Sequence, residues 1–136
     1  MKKLSAFHLA VLVSALIAAI SCGGNPPRQL VSMTLSPAAG NAADSPNGQV
    51  QFSATGTYNK MPLTGSVQPA LWSLYEPQNS PGNPSITQSG LAQCQSNSGT
   101  FAVTAYAIAD PNVPQTPQNL LQQKHVVLGT ASLTCP

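Results

Sequence analysis

The sequence predicts an all-β protein, a sandwich of about seven short strands preceded by an N-terminal signal-peptide helix. Three observations support this fold class. Apolar and polar residues alternate with a period of two in several short segments, which is typical of half-buried strands. The 13 prolines and 10 glycines supply turn residues between those segments. After the first 21 residues, no segment carries a helical period.

The N-terminal segment has the pattern of an export signal. Lys2 and Lys3 precede an uncharged apolar run that ends in Ser21, Cys22 and two glycines. A short positive region, an apolar core and small residues before the cut are typical of such signals. We therefore predict a signal peptide over residues 1–21, a short linker over residues 22–29 and one sandwich domain over residues 30–136.

The end of the signal segment resembles the lipobox of bacterial lipoproteins. Ser21 and Cys22 fit that pattern, whereas Ala19 stands where leucine is favoured. The resemblance implies lipidation of Cys22, stable membrane attachment through several acyl chains, and transfer to the outer membrane where the host has one, because Gly23 follows the cysteine. Two alternatives stay open: secretion without lipid, and an uncleaved anchor over residues 4–20, which is close to the minimum length of a membrane span.

Charged residues are rare in the predicted mature chain. Its three cations and three carboxylates cancel in formal charge: Arg28, Lys60 and Lys124 against Asp44, Glu76 and Asp110. Without a basic surface the chain is poorly suited to neutralise phosphates, so we expect no nucleic-acid partner. The regular apolar alternation argues against disorder.

Six segments carry the strand pattern in chain order: residues 31–36, 49–55, 71–75, 85–94, 100–107 and 126–135. In the first segment, Val31, Met33 and Leu35 are the apolar positions, and Pro37 ends the run. The fourth segment contains the turn signal Ser89-Gly90. Short strands separated by turn residues, with no helix between them, indicate a β-sandwich.

Five motifs follow one another between residues 30 and 107: Val31-Ser32-Met33-Thr34-Leu35-Ser36-Pro37, Gln51-Phe52-Ser53-Ala54-Thr55-Gly56-Thr57-Tyr58, Leu71-Trp72-Ser73, Ile86-Thr87-Gln88-Ser89-Gly90-Leu91-Ala92 and Gly99-Thr100-Phe101-Ala102-Val103-Thr104-Ala105. In this order they resemble the bacterial immunoglobulin-like domains of group 2 (BIG2). The resemblance implies an immunoglobulin-like β-sandwich.

Two stretches depart from the family pattern. Residues 76–84 are a proline-rich replacement for a short turn, and residues 110–124 are a long insertion before the last strand. Loops at the ends of a sandwich often carry binding surfaces, so both are candidate contact regions. They also fit simple connectors, because surface loops tolerate insertions.

Two cysteines remain if Cys22 carries lipid. Cys94 and Cys135 form an even pair in a chain predicted to be exported, and strand alternation directs Cys135 inward with Leu133. We predict a disulfide between them. Free buried thiols and intermolecular pairing are the alternatives.

The aromatic residues allow two interpretations. Trp72 could form a stacking platform for a sugar together with Tyr58, Tyr75 and Tyr106, because aromatic faces offer large apolar contact areas. A tryptophan on the third strand of an immunoglobulin-like sandwich is more often part of the core. We therefore place Trp72 in the core and predict Tyr75 and Tyr106 as exposed contact residues.

The sequence offers little for catalysis. Acid–base chemistry needs positioned titratable groups, and the predicted mature chain has His125 and three scattered carboxylates. A serine with His125 and Asp110 or Asp44 would fit a hydrolase by inventory, but there is no Gly-x-Ser-x-Gly elbow. Two cysteines and His125 lack zinc-ligand spacing. We expect no enzyme, no cofactor and no metal site.

The leading functional hypothesis is a noncatalytic, lipid-anchored immunoglobulin-like module of the bacterial cell envelope. It would act in adhesion, in contact with a surface carbohydrate or protein, or as a structural accessory. A subunit of an envelope assembly that pairs through a strand edge is the second hypothesis. A small secreted hydrolase is the third.

Overall fold

A computed structural model describes residues 25–75 and 82–136. The predicted signal helix, the lipidation site Cys22 and residues 76–81 of the proline-rich loop lie outside these residues. The described chain forms a β-sandwich, so the predicted fold class is confirmed.

One layer of the sandwich consists of two small sheets joined by a continuous chain segment. Strands β1 (Leu30–Ser36), β4 (Ser53–Tyr58) and β5 (Thr64–Val67) form the first sheet in the order β1-β4-β5. Strands β3 (Gln49–Gln51), β8 (Leu91–Gln93) and β7 (Ser85–Ile86) form the second in the order β3-β8-β7. All pairs in both sheets are antiparallel. Because β3 runs into β4 through Phe52, the two sheets make one layer.

The other layer is a four-stranded sheet in the order β2-β10-β9-β6: β2 (Ala39–Asn41), β10 (Val126–Cys135), β9 (Gly99–Ile108) and β6 (Leu71–Tyr75). Strands β9 and β10 pair antiparallel along their whole length, and β2 runs parallel to the end of β10. In an immunoglobulin-like sandwich, one sheet holds the first, second, fifth and fourth strands and the other holds the third, sixth and seventh. The layers match this scheme, with β1, β3–β4, β8 and β7 in one layer and β6, β9 and β10 in the other.

The described chain has ten strands where the sequence predicted about seven. The short strands β2 and β5 were missed, and the second and fourth predicted segments are each divided in two. The described helices are short: 3-10 turns at Ala42–Asp44 and Pro46–Gly48, and α1 at Pro117–Leu120.

The core lies between the layers, and its largest fully buried side chains include Phe52, Val103 and Leu133. Phe52, Val103 and Leu133 are apolar positions of the second, fifth and sixth predicted segments, so the alternation in these segments correctly marks the buried face. The first segment is different, because Leu30 is buried whereas Val31 is 61% exposed. A register shift between Leu30 and Ser32 in the pairing with β4 causes the change, since a bulge moves one residue to the opposite face.

Candidate binding surface

The two ends of the sandwich are distinct. At one end, which we call the linker end, lie residues 25–29, the β4–β5 turn at residues 59–63 and the loop of residues 109–125. These segments converge because Tyr58 pairs with Leu30, whose N–H donates to the carbonyl of Ala109 at 2.7 Å. At the other end, which we call the disulfide end, lie residues 42–48, residues 94–98 and Cys135.

The predicted disulfide is confirmed. Cys94 and Cys135 are bonded with a Cα–Cα distance of 5.6 Å, which is ordinary for a disulfide. Cys94 follows β8 in one layer and Cys135 ends β10 in the other, so the bond joins the two layers. Closing a loop with a sequence separation of 41 residues constrains the unfolded chain. The loop-entropy relation gives about 4 kcal/mol of stabilisation.

The outward face of the four-stranded sheet is a regular surface formed by long, continuously paired strands. Three rows run across β6, β9 and β10 in register: Tyr75–Ala102–Ser132, Ser73–Thr104–Thr130 and Leu71–Tyr106–Leu128. None of the nine residues is charged. We call this set the hydroxyl face, because hydroxyl groups line its centre and tyrosines mark its outer rows.

The two predicted contact tyrosines both lie on the hydroxyl face, but they do not form one stacking platform. Tyr75 pairs with Ala102 and is 69% exposed, as predicted. Tyr106 is half-buried between Leu71 and Leu128, so the prediction that it is exposed is wrong: its cross-strand neighbours cover part of it. Ala102 and Tyr106 are four residues apart on β9, which corresponds to about 13 Å along the strand. The face therefore offers two separate aromatic contact points.

The aliphatic neighbours of Tyr106 on the hydroxyl face were not predicted from the sequence. Leu128 is 53% exposed and lies directly opposite Tyr106 on β10. Cross-strand aromatic and aliphatic side chains contact each other directly at such positions. The period-two pattern of residues 126–135 contains this signal, since Leu128 falls on the face opposite to Leu133.

Trp72 belongs to the core, as predicted. Its side chain is 6% exposed and packs against Gly90 in the turn between β7 and β8. Gly90 has a φ of +82°, and a Cβ there would lie 3.0 Å from Cζ2 of Trp72 and would overlap the carbonyl oxygen of Phe52. Glycine is therefore required both by the backbone conformation and by the close approach of the indole ring.

The described part of the proline-rich loop, residues 82–84, and the long insertion lie toward opposite ends. Residues 110–124 are at the linker end, where the side chain of Gln115 accepts from the N–H of Ile108 at 2.8 Å and donates to its carbonyl at 3.2 Å. Thr116 caps α1 by accepting from the N–H of Asn119 at 3.2 Å. The long insertion is thus held against β9 by its own polar side chains. In the other loop, the N–H of Asn97 donates to the carbonyl of Gly82 at 2.9 Å.

Of the described acidic and histidine side chains, Asp44 lies at the disulfide end, whereas Asp110 and His125 lie at the linker end, where the N–H of Ala109 donates to the carbonyl of His125 at 3.2 Å. Asp44 follows β2, which pairs with the end of β10, whereas His125 precedes the start of the same strand. Their separation along β10 is about nine residues, or roughly 30 Å. Asp110 accepts from both the backbone N–H and the side chain of Asn112, at 2.9 and 3.0 Å. Within residues 25–75 and 82–136, no three His, Cys, Asp or Glu side chains are grouped to hold a metal ion.

Two clefts flank β5. One of about 140 Å³ lies between Leu30, Tyr58 and Ile108, and one of about 230 Å³ lies between Phe52, Val67 and Trp72. Small-molecule sites usually have volumes of roughly 300–1,000 Å³. Both clefts are smaller, which favours the open hydroxyl face over a cleft as the contact surface.

Among the described helices, none has the length and apolar character needed to cross a bilayer.

The segments that carry the family resemblance occupy successive places in the sandwich. The first covers all of β1 except Leu30, the second covers the last residue of β3 and all of β4, and the others fall on β6, on β7 and β8, and on β9. No protein-family model matches the chain, and a search of curated proteins gives no significant match.

Proposed function

We propose that this chain is a noncatalytic, lipid-anchored, BIG2-like module of a bacterial cell envelope, held at the outer membrane where the host has one. It binds an uncharged surface, a carbohydrate or a protein, through the hydroxyl face. The observation that carries this proposal is the uncharged composition of that face, with Tyr75 exposed at its edge strand.

The chemistry of the hydroxyl face suits contact with a neutral partner. The centres of protein interfaces are depleted in charged residues and enriched in tyrosine. Tyrosine combines an apolar ring with a polar hydroxyl, so it can stack on a sugar ring or pack against a peptide. The central Ser73–Thr104–Thr130 row adds hydroxyl groups that both donate and accept hydrogen bonds.

The place of the linker supports the anchored arrangement. Residues 25–29 leave the sandwich at the linker end, so an acylated Cys22 places the membrane at that end. Tyr75 lies toward the disulfide end, because its partner Ala102 is near the start of β9. The most exposed aromatic of the hydroxyl face is therefore directed away from the membrane.

The positions of the titratable residues support a noncatalytic role. Asp44 and His125 lie at opposite ends. Asp110 lies at the same end as His125, but its Oδ1 atom accepts hydrogen bonds from Asn112, and no hydrogen bond joins the Asp110 and His125 side chains in the described structure. General acid–base catalysis requires such groups within hydrogen-bond reach of the reacting atoms.

Two measurements on detergent-solubilised, full-length protein test the proposal. The first is the intact mass, which must show a lipid increment on Cys22. The second is cosedimentation with envelope fragments of the producing bacterium, either untreated, protease-treated or reduced to purified peptidoglycan. Binding that survives protease identifies a carbohydrate, and binding that is lost identifies a protein.

Variants assign the contact to the hydroxyl face. We expect Tyr75→Ala and Tyr106→Ala each to weaken cosedimentation about tenfold, as buried tyrosines at an interface centre do. Thr55→Ala is the matched control, since Thr55 is exposed on β4 of the opposite layer. If Tyr75→Ala and Tyr106→Ala bind as strongly as Thr55→Ala and the parent protein, the hydroxyl face is refuted as the contact surface.

A subunit role through strand-edge pairing is the second candidate. Strand β6 lies at the edge of its sheet and has the uncharged sequence Leu-Trp-Ser-Leu-Tyr. Uncharged edge strands can pair with a strand of another chain. Mild crosslinking followed by purification distinguishes the two functions, because a partner in fixed stoichiometry is expected of a subunit alone.

A further inference from the structure

The exposed large apolar side chains of the described residues are concentrated near one end of the sandwich. Met61, Leu63 and Leu121 are 78%, 51% and 88% exposed, and all three lie in the connections at the linker end. Val31, which is 61% exposed, follows the first residue of β1 at the same end. The two others lie on the hydroxyl face: Leu128, 53% exposed, is near the start of β10 and thus toward the linker end, and Tyr75 is the one nearest the disulfide end.

The cationic side chains have the same distribution. Three lysines and arginines occur within residues 25–75 and 82–136, and all of them lie at the linker end: Arg28, Lys60 and Lys124. Asp110 is the carboxylate at this end, and Asp44 lies at the disulfide end. A chain with no formal net charge after residue 21 therefore has an excess of positive charge at the linker end.

Direct contacts hold the linker against the β4–β5 turn. The Arg28 guanidinium lies 3.4 Å from the centroid of the Tyr58 ring, and its Nη2 donates to the carbonyl of Pro62 at 2.8 Å. The backbone N–H of Gln29 donates to Oδ1 of Asn59 at 2.7 Å, and the N–H of Asn59 returns a bond of 3.0 Å to the Gln29 carbonyl.

A further contact shortens the free tether. The Nζ of Lys60 donates to the carbonyl of Pro26, so the linker is held to the sandwich from Pro26 onward. Asn25 is three residues after Cys22. Even when fully extended, three residues span about 10 Å. An acyl chain on Cys22 therefore leaves the linker end almost no room to move away from the bilayer.

We infer that the linker end is a lipid-binding surface. Met61, Leu63 and Leu121 enter the interfacial layer, while the cationic groups of Lys60, Lys124 and Arg28 lie near anionic headgroups. Exposed apolar residues combined with cations are the composition that lipid interfaces attract. The inference rests on the proposed anchoring at Cys22, and it adds that the domain contacts the bilayer in one fixed orientation.

Tryptophan fluorescence in vesicles tests this orientation. The chain contains a single tryptophan, Trp72, which is buried and serves as an internal background. Full-length M61W and Y75W variants are reconstituted into phosphatidylcholine vesicles, with or without phosphatidylglycerol, that contain brominated acyl chains. M61W reports on the linker end, and Y75W is the matched control because both substituted sites are highly exposed.

We expect the added emission of M61W to shift to shorter wavelength and to be quenched by the brominated chains, more strongly when phosphatidylglycerol is present. Y75W should show the emission of Trp72 as in the parent protein, plus the emission of an added indole that is exposed to water and is not quenched. Equal behaviour of the two variants would overturn the inference. Equal quenching of M61W with and without phosphatidylglycerol would overturn the role of the cations.

Two further measurements separate this inference from the proposed anchoring. Intact mass reports the lipid on Cys22 independently of fluorescence. If the lipid is absent, flotation of the unlipidated chain with phosphatidylglycerol vesicles still tests the surface: quenching of bound M61W supports it, and failure to float refutes it. A concentration-dependent blue shift of M61W without vesicles identifies a second copy of the chain as the occupant and refutes lipid binding.

Discussion

The two ends of the sandwich are built from the same kind of element, short connections between strands, but they differ in what stabilises them. At the disulfide end a covalent bond joins the two layers. At the linker end the segments are held by hydrogen bonds and by the contact of Arg28 with Tyr58, and their apolar side chains remain exposed. One end is thus stabilised by a covalent bond between the layers, whereas the other keeps apolar side chains exposed, which we propose contact lipid.

The largest expected effect is at the disulfide end. The double substitution Cys94→Ser and Cys135→Ser should lower the free energy of unfolding by about 4 kcal/mol, because the unfolded chain regains the entropy of the open loop. Denaturant titration measures the loss, and the parent protein under reducing conditions is the control. A loss below about 1 kcal/mol would contradict the account of the disulfide end as the covalently stabilised end.

The next effect concerns the body between the two ends. Gly90→Ala should lower the free energy of unfolding by about 3 kcal/mol, because it combines backbone strain at positive φ with overlap of the added Cβ against Trp72 and Phe52. Gly48→Ala is the matched control, because Gly48 has a φ of +65° but no atom within 4 Å of the added Cβ. We expect Gly48→Ala to cost about 1 kcal/mol in thermal or denaturant unfolding. Similar costs would mean that the Trp72 contact is easily relaxed.

A smaller effect is expected where the linker meets the β4–β5 turn. Arg28→Ala removes the ring contact and two hydrogen bonds to carbonyls, at Lys60 and Pro62, and should cost about 1 kcal/mol. Arg28→Lys keeps the charge but loses the planar donor group, so it should fall between Ala and the parent protein. Hydrogen exchange of the Gln29 and Asn59 amides reports the local opening, and unchanged exchange in Arg28→Ala would contradict this account.

The smallest expected effect on stability is at Leu121, where it distinguishes a side chain that packs against the domain from one that contacts lipid. Leu121→Ser should change the free energy of unfolding by less than about 0.5 kcal/mol, because this side chain is exposed. It should nevertheless weaken the association of the linker end with phosphatidylglycerol vesicles in the M61W background. A loss of stability above about 1 kcal/mol would indicate that Leu121 packs against the domain instead.

The sequence predicted the parts of the fold that depend on local pattern. Period-two alternation located the long strands, and the cysteine count together with the direction of Cys135 identified the disulfide. Strands β2 and β5 were missed because Ala-Gly-Asn and Thr-Gly-Ser-Val carry little apolar alternation, and they are defined by pairing with β10 and β4. Val31 was misplaced because a bulge in the pairing leaves no mark in the hydrophobic pattern.

The candidate surfaces were predicted less completely, and for a related reason. Tyr75 and Tyr106 were identified singly, but their rows across β6, β9 and β10 depend on the register between strands. The cations at the linker end are separated by 32 and 64 positions in the sequence, from Arg28 to Lys60 and on to Lys124. Topology brings them to one end, and no local pattern could indicate that.

The direction of β1 has a mechanical consequence. The strand begins at the linker end, continues toward the disulfide end, and pairs with β4 along its length. When a partner held near Tyr75 pulls against a tether at Cys22, the load runs parallel to β1 and perpendicular to its hydrogen bonds. The ladder is then loaded in shear, so its bonds resist together and do not open one after another. Under the proposed anchoring at Cys22 and contact at Tyr75, the domain would resist traction along the direction of its strands.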